Sequence, residues 1–298
     1  MPRSATTIVG SVIAKQTLYS SIYEPFNTQQ GLKSVNINYV IPGINIMEND
    51  FDRILNNLFN SVGDFRNGIK ESDSFIKKMT KYILGNQSSL SFKKAKYSFL
   101  KTGVIVKDPF LVFASHYLSK NYKIIMCERP LLPLAGSFKR MLWEFPEHER
   151  LLKDFGRMGL DVKNTFDCEN IKISKNVIGA VKFYNLYHTF KKVIFHKENI
   201  YFFNQNDLSE NPNEAIELLF DWIGEKYTND KIQDLVNSIS GSLRSKTSPK
   251  SNIQHDGYYN KKYANTYYKN ILTKEEIEFI KKSQEEICSG EEIWTPDL

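Results

Sequence analysis

Residues 104–130, VIVKDPFLVFASHYLSKNYKIIMCERP, decide the fold class of this chain. They contain two short apolar runs, 104–106 and 123–127, and each run stops at charged residues followed by a proline. Such runs are typical of buried strands, and residues 110–120 between them read as a helix. Because apolar strands that alternate with helices favour a parallel sheet covered on both faces, we predict an α/β fold with a parallel central sheet flanked by helices. In that architecture ligands bind at the carboxyl ends of the strands.

The same alternation continues on both sides of this stretch. A further strand is predicted at 199–203, and helices are predicted at 8–19, 48–62, 133–144, 213–225 and 273–287. Thr273 and Glu276 form a capping-box signature at the start of the last helix. Residues 240–266 are rich in Ser, Lys, Asn and Tyr, which predicts a long surface loop. We expect one domain over residues 1–298.

Composition bounds the function classes. The formal net charge of +6 favours anionic ligands, but the basic residues are too scattered to indicate a nucleic-acid partner. No apolar run reaches the ~20 residues that a membrane helix needs, and no signal peptide is recognisable. The three cysteines, Cys127, Cys168 and Cys288, are odd in number and far apart, as expected of thiols in a reducing compartment. We expect a cytoplasmic protein, with a trimmed lumenal domain as the alternative.

The N-terminal residues 2–7, PRSATT, precede an apolar helical pattern. Small and hydroxylated residues there leave backbone N–H groups and hydroxyls available, and the helix start adds a partial positive charge. Together with Arg3 they are suited to cradle a phosphate or sulfate. The alternative interpretation is an ordinary helix start capped by Ser and Thr. The Gly-Lys-Ser/Thr core of a Walker loop is absent, which argues against a P-loop kinase.

Two charged residues follow predicted secondary structure at positions that suit catalysis. Glu24 precedes Pro25, so it is expected in an extended or turn segment, where its carboxylate could accept a proton. Lys107 ends the strand at 104–106, where its ammonium could neutralise charge on a leaving phosphate oxygen. The alternatives are a surface glutamate and a strand-ending turn in which Asp108 caps the next helix.

Basic residues also follow the strand at 123–127. Arg129 and Ser137 are eight residues apart and span the strand end and the first turns of the next helix, so both could reach one phosphate. Lys139 and Arg140 lie close behind them. The alternative interpretation is a basic helix surface.

Taken together, these motifs resemble the sulfotransferase family that uses 3′-phosphoadenosine-5′-phosphosulfate (PAPS). Residues 2–7 look like its 5′-phosphosulfate loop, usually Pro-Arg-Ser-Gly-Thr-Thr, and Arg129 and Ser137 look like its 3′-phosphate pair. The Lys-Asp-Pro-Phe motif at 107–110 is similar to that of protein-tyrosine sulfotransferases, as is the distance from Arg3 to Glu24. Tyr23-Glu24-Pro25-Phe26 is more like carbohydrate sulfotransferases. The resemblance covers residues 2–26, 104–145 and 200–224.

The resemblance implies a P-loop nucleoside-triphosphate-hydrolase-like sulfotransferase fold and assigns roles. Glu24 would be the general base, with His116 as the next candidate, and Lys107 and Arg3 would stabilise charge during transfer. The residues implied to bind PAPS are Arg3, Ser4, Ala5, Thr6, Thr7, Arg129, Ser137, Arg140 and Ser245. Tyr267 or Tyr268 would stack on adenine. No metal is implied.

The resemblance leaves the acceptor open. A saccharide hydroxyl is expected first and a protein tyrosine second, and a non-catalytic anion- or glycan-binding protein is the alternative from another class. The aromatic and amide side chains of residues 252–270 are of the kind that line sugar sites, although an ordinary loop has the same composition.

Four departures from the family pattern stand out. Ala5 replaces the usual glycine, Glu128 stands where an apolar residue is common, and Met141 occupies the place of a third phosphate arginine. Either Arg140 or Lys139 must then replace that arginine. The family also has a strand before its phosphosulfate loop. We expect that strand in a segment upstream of residue 2, and the alternative is a sheet that lacks its usual central first strand.

Overall fold

Two pairs of parallel strands form the sheets of the protein. The computed structural model describes residue 4 and residues 6–99, 101–162, 173–239 and 265–289. Strand β1 (Tyr19–Tyr23) pairs with β2 (Gly103–Lys107), and β3 (Ile124–Glu128) pairs with β4 (Ile200–Asn204). Both pairs are parallel, which confirms the predicted α/β class.

Helices make up most of the described chain. In chain order they are α1 (Thr6–Gln16), α2 (Glu48–Phe59), α3 (Phe75–Leu84), α4 (Gln87–Lys96), α5 (Ser115–Leu118), α6 (Leu131–Met141), α7 (His148–Arg157), α8 (Lys175–Ile194), α9 (Gln205–Glu210), α10 (Pro212–Ile223), α11 (Asn229–Ile239) and α12 (Lys274–Ile287). Two 3-10 helices, Pro109–Ala114 and Tyr267–Asn270, complete the regular structure of these ranges.

The strands and long helices predicted within the described residues are present, whereas residues 240–264 of the predicted surface loop lie outside them. Each predicted strand agrees with the structure to within one residue at either end, and the five predicted long helices agree to within three. The capping box of α12 is confirmed, because the Thr273 hydroxyl accepts from the Glu276 N–H and the Glu276 carboxylate accepts from the Thr273 N–H. Hydrophobic periodicity and capping residues therefore located these elements without tertiary information.

Two predicted helical segments differ in detail. Residues 110–120 form a 3-10 helix, Pro109–Ala114, followed by the single turn of α5. The helix expected over 8–19 ends at Gln16, since Tyr19 already belongs to β1. The Thr17 hydroxyl donates to the Ile13 carbonyl and accepts from the Tyr19 N–H, which satisfies the backbone where the helix stops.

The longest helix was not predicted. Helix α8 has 20 residues and buries eleven of them. A helix that is buried on several sides lacks the single apolar stripe by which an amphipathic helix is recognised in a sequence. It packs against α6, α7 and α12 and forms the centre of the largest hydrophobic cluster.

The described strands form two sheets of two strands rather than one central sheet. Within the described ranges, β2 and β3 do not pair with each other. Hydrophobic clusters nevertheless join the two sheets, because Val9 of α1 packs in one cluster with Cys127 of β3 and Ile105 of β2. The strand expected upstream of residue 2 stays a prediction, because Ser4 is the first residue that the structure describes.

Candidate functional site

The carboxyl end of β2 meets the first turn of α1. The Lys107 ammonium donates to the Thr7 hydroxyl over 2.6 Å and lies 4.1 Å from the centre of the Tyr23 ring. Lys107 is buried, so its positive charge is held among these groups rather than in bulk water. The predicted proximity of the helix start at Thr7 and the strand end at Lys107 is therefore present.

Glu24 lies beside this contact, directly after β1. Its backbone N–H donates to the Lys107 carbonyl over 2.8 Å, which extends the pairing of β1 and β2 by one residue. The half-buried carboxylate accepts from the Asn27 side-chain amide over 2.9 Å. Glu24 has a φ of 44°, a left-handed conformation that is uncommon outside glycine and asparagine. Such strain is often kept at functional positions.

Asp108 caps the 3-10 helix that follows β2. Its carboxylate accepts from the Phe110 N–H and, through its other oxygen, from the Phe26 N–H. The capping interpretation is thus confirmed for Asp108, while Lys107 points to Thr7. Burial and the negative charge of Glu24 raise the pKa of Asp108 to about 8. The positive charge of Lys107 opposes this rise in the pKa of Asp108.

The N-terminal loop is described only in part. Ser4 is buried, Thr6 is the first residue of α1, and Thr7 contacts Lys107 as above. Arg3 and Ala5 lie outside the described residues, and so does Ser245.

A second group of predicted residues lies after β3. The Tyr267 ring has the Arg129 guanidinium 5.2 Å and the Arg140 guanidinium 5.8 Å from its centre. The Tyr267 hydroxyl donates to the Pro133 carbonyl over 2.7 Å, which fixes the ring against α6. Ser137 is fully buried on the same helix. Two cationic groups on one aromatic ring create a positive potential that suits an anion.

The choice between Lys139 and Arg140 is decided by packing. The Lys139 ammonium binds the Glu276 carboxylate of α12 over 2.6 Å. Arg140 lies instead against Tyr267, close to Arg129. Arg140 is therefore the basic residue that lies with Arg129.

The two aromatic candidates have different surroundings. Tyr267 contacts the arginines, whereas Tyr268 is buried in the main hydrophobic cluster and covers Gly136 of α6. Tyr267 is thus the aromatic residue that belongs to the group around Arg129.

The Lys107 group and the Arg129 group lie at the same edge of the molecule. Burial raises the pKa of the Cys127 thiol to about 11, and the positive charge of Lys107 acts in the opposite direction. Val9 of α1, the helix that carries Thr7, packs in one hydrophobic cluster with Ile105 of β2 and Cys127 of β3, two residues before Arg129. Glu128, between them, accepts from the Tyr187 hydroxyl over 2.7 Å and pairs with Lys191. This explains how a carboxylate is tolerated at that position.

His116, the alternative base, lies at the other end of the strands. The positive charges of Lys197 and Lys120 act on its imidazole, whose pKa is lowered by burial first and by these charges second. One turn further along, the Ser119 carbonyl accepts a hydrogen bond from the side-chain amide of Asn199, which directly precedes β4. The amino ends of β3 and β4 are therefore its neighbours, and His116 is not placed to serve the Lys107 group.

Sequence reasoning missed one polar residue at the carboxyl end of β4. Asn206 is buried, and neither atom of its side-chain amide has a hydrogen-bond partner in the part of the chain that the structure describes. A buried amide in this state is costly unless water or a ligand satisfies it. The sequence indicated this residue only through its position, because Asn206 is the second residue after the apolar strand β4.

A metal-binding cluster and a membrane-spanning helix are both absent from the described ranges. These ranges contain no group of three or more His, Cys, Asp or Glu side chains arranged to hold a metal ion. In the same ranges, no helix has the length and apolar character needed to cross a membrane.

Comparison with known proteins adds no family assignment. No protein-family model matches the chain, and no curated protein or solved structure matches it either.

Proposed function

We propose that the chain is a sulfotransferase that moves a sulfuryl group from PAPS to an acceptor hydroxyl. The observation that carries the proposal is the contact between Lys107 and Thr7 beside Glu24. A buried cation contacts a hydroxyl at a helix start there, and the backbone of Glu24, a residue with a carboxylate, pairs with the backbone of Lys107 at the ends of the parallel strands. This combination provides a leaving-group partner, an anion cradle and a base.

In the proposed reaction the acceptor hydroxyl gives its proton to Glu24 while its oxygen bonds to sulfur. The bond between sulfur and the bridging oxygen of the 5′-phosphate breaks at the same time. The negative charge that develops on that oxygen is stabilised by Lys107 and by the N–H groups at the start of α1. Asn27, which donates to Glu24, holds the carboxylate in place.

The donor's other phosphate accounts for the second group of residues. Arg129 and Arg140 suit the 3′-phosphate, because guanidinium groups form charged and often bidentate bonds to phosphate. The Tyr267 ring against both arginines is the aromatic surface that we assign to the adenine. Ser137 would add a hydroxyl to the phosphate.

For the acceptor we propose a saccharide hydroxyl, with a protein tyrosine as the second candidate. Support comes from the sequence context of Glu24 and from residues 252–270, of which 265–270 are described. For the fold we propose the P-loop-like sulfotransferase arrangement. Its support is the parallel pairing of the strands and the position of α1 after the N-terminal loop.

Nucleotide binding tests the proposal. We expect 3′-phosphoadenosine-5′-phosphate to bind at least about tenfold more tightly than adenosine-5′-monophosphate in calorimetry, because charged hydrogen bonds contribute ~1.5–3 kcal/mol each. Arg129→Ala should remove that preference, while Arg53→Ala, on the surface of α2, should leave it intact. Equal affinity of the wild type for the two nucleotides contradicts the donor assignment.

Turnover separates the enzyme from the alternative of a non-catalytic binding protein. Labelled PAPS is offered together with a glycan library and acidic tyrosine peptides. We expect label in glycans. Label in peptides alone would make a protein tyrosine the acceptor and leave the proposed sulfuryl transfer standing. Tight nucleotide binding without any transfer would favour the non-catalytic alternative.

A further inference from the structure

Helix α3 turns its apolar side to solvent. None of its residues is buried, and its apolar side chains recur at the spacing of one helix face. The exposed fractions on this face are 79% for Phe75, 78% for Ile76, 44% for Met79, 69% for Tyr82 and 65% for Ile83. A soluble helix ordinarily packs such a face against the core, so the exposure requires an explanation.

The opposite, polar side of α3 faces the protein. Lys81 donates to the Asp73 carboxylate over 2.6 Å and to the Gly68 carbonyl over 2.7 Å, and Lys77 pairs with Asp73 over 3.0 Å. Ser74 caps the first turn. The Lys81 contacts hold the polar side of the helix against the segment that precedes it, while Lys77 stays largely exposed and the apolar face points outward.

Helix α4 extends the exposed apolar surface. One side of α4 is buried through Phe92 and Ala95 and packs against β1. Its outer side and the residues just after it expose Leu90, Tyr97 and Phe99. The Lys93 ammonium donates to the Leu84 carbonyl, which ties α4 to the end of α3. We call the exposed apolar residues of α3, Leu90, Tyr97 and Phe99 the α3–α4 surface.

The segment that bears this surface is strongly basic. Residues 74–107 contain eight lysines and no Asp, Glu or Arg. Their charge of +8 exceeds the +6 of the whole chain, so the remaining residues together carry −2. Lys77 and Lys81 pair with Asp73 and Lys107 is buried, so the positive charge available beside the exposed apolar side chains comes from the other five lysines of the segment.

We propose that the α3–α4 surface docks on a membrane that contains anionic lipids. Aromatic and aliphatic side chains enter the boundary between headgroups and acyl chains, while exposed lysines such as Lys94 and Lys96 remain at the level of the lipid phosphates. The helix lies in the plane of the interface and does not cross it. The docking is independent of the proposed sulfuryl transfer.

Other occupants fit these observations less well. A second copy of the chain would place two segments of charge +8 against each other, which costs electrostatic free energy. Nucleic acid would satisfy the lysines but would leave Ile76, Met79 and Ile83 without apolar partners. An acidic protein satisfies the charge, and the experiment below distinguishes it.

Vesicle sedimentation tests the proposal on the full chain. We expect the protein to pellet with phosphatidylcholine vesicles that contain phosphatidylserine, and at least about tenfold less with phosphatidylcholine alone, because each lysine near an anionic surface strengthens binding severalfold. Ile76→Ser with Ile83→Ser should weaken binding to the anionic vesicles at least about tenfold. The matched control, Phe195→Ser with Leu218→Ser, changes exposed apolar residues elsewhere and should bind as the wild type does.

Charge reversal supplies the second comparison. Lys94→Glu with Lys96→Glu should abolish the preference for anionic vesicles, whereas Lys281→Glu with Lys282→Glu on α12 should preserve most of it. All variants alter exposed side chains, and circular dichroism verifies that they fold. The proposal is overturned if the wild type fails to pellet with anionic vesicles, whether it stays monomeric, dimerises or binds an acidic protein. It is also overturned if the two control variants lose as much binding as the test variants.

Discussion

Glu24 unites a left-handed backbone with a half-buried carboxylate. Its φ of 44° follows from the sharp change of direction after β1, where its N–H still pairs with Lys107. A left-handed non-glycine residue costs about 1 kcal/mol or more, and the fold tolerates this cost where the side chain has a task. In the proposed function that task is proton transfer.

Replacement of Glu24 by Gln should lower sulfuryl transfer by ~10²-fold or more, because the amide cannot accept the proton. Donor affinity should change little, since the amide keeps the shape of the side chain. Turnover with labelled donor and calorimetry with 3′-phosphoadenosine-5′-phosphate measure the two effects. Glu198→Gln, on the surface before β4, is the control. Near-normal turnover of the Glu24 variant would assign the base to another residue.

Asp108 should give the folding stability a distinctive pH dependence. Its pKa in the folded protein is about 8, above the usual value of 3.8, so the folded state binds the proton more tightly than the unfolded state. The stabilisation from this proton is complete below about pH 4 and is lost as the pH rises towards 8. The slope that this carboxyl contributes is at most ~1.4 kcal/mol per pH unit.

Asp108→Asn removes this titration and should flatten the dependence. The variant should be less stable than the wild type at pH 5, because an N–H₂ group then faces the Phe26 N–H, and the difference should shrink as the pH rises towards 8. Urea unfolding between pH 5 and pH 8 compares the slopes. His116 and His148, whose pKa values are lowered chiefly by burial, titrate in the opposite sense and are common to both proteins. Parallel curves for the two proteins would mean that Asp108 does not hold a proton near neutral pH.

At the scale of elements, the site depends on the packing of α6 against the 3-10 helix Tyr267–Asn270. Gly136 of α6 lets this 3-10 helix approach closely, since a methyl group added there would lie 2.7 Å from the Cβ of Tyr268. The adjacent residue, Tyr267, carries the ring that lies against both arginines. A small residue in α6 therefore sets the position of the aromatic group.

Gly136→Ala should displace the 3-10 helix and weaken binding of 3′-phosphoadenosine-5′-phosphate, while far-UV circular dichroism stays that of a folded protein. Overpacking of this kind costs ~1–3 kcal/mol, and alanine itself favours the helix. Gly156→Ala, in α7 where an added methyl group meets nothing within 4 Å, is the matched control. Unchanged nucleotide affinity in the Gly136 variant would separate Tyr267 from the donor site.

At the scale of the whole molecule, the site draws on both sheets. Thr7, Glu24 and Lys107 belong to the half with β1 and β2, while Arg129 and Arg140 follow β3. A ligand that contacts both groups should therefore link the halves and stabilise the protein as a unit.

Saturation with 3′-phosphoadenosine-5′-phosphate at ~100 times its Kd should stabilise the fold by ~2.7 kcal/mol. For a chain of 298 residues that corresponds to a rise in Tm of roughly 4 °C. Differential scanning calorimetry measures the shift, with adenosine-5′-monophosphate at the same concentration as the control. A shift in Arg129→Ala as large as in the wild type would exclude Arg129 from the ligand contacts.

The sequence by itself determined the α/β class, the places of three of the four described strands and of five long helices, and the polar residues at the strand ends. These features follow from local rules: apolar runs, helical spacing, and capping residues such as Thr273. The position of Lys107 at the carboxyl end of β2 and of Arg129 directly after β3 could be read in the same way. Local rules require no knowledge of what packs against an element.

Only the tertiary structure decided which of these residues meet and which faces are covered. Tyr267 lies against Arg129 and Arg140 because the 3-10 helix packs on α6, and nothing in the sequence near any of them indicates that contact. Helix α8 was missed because burial on several sides removes its periodic signal. The apolar face of α3 is readable as a pattern, but periodicity does not say whether a face meets the core or solvent. Contacts between distant segments depend on the balance of burial and charge over the whole chain, which no local pattern contains.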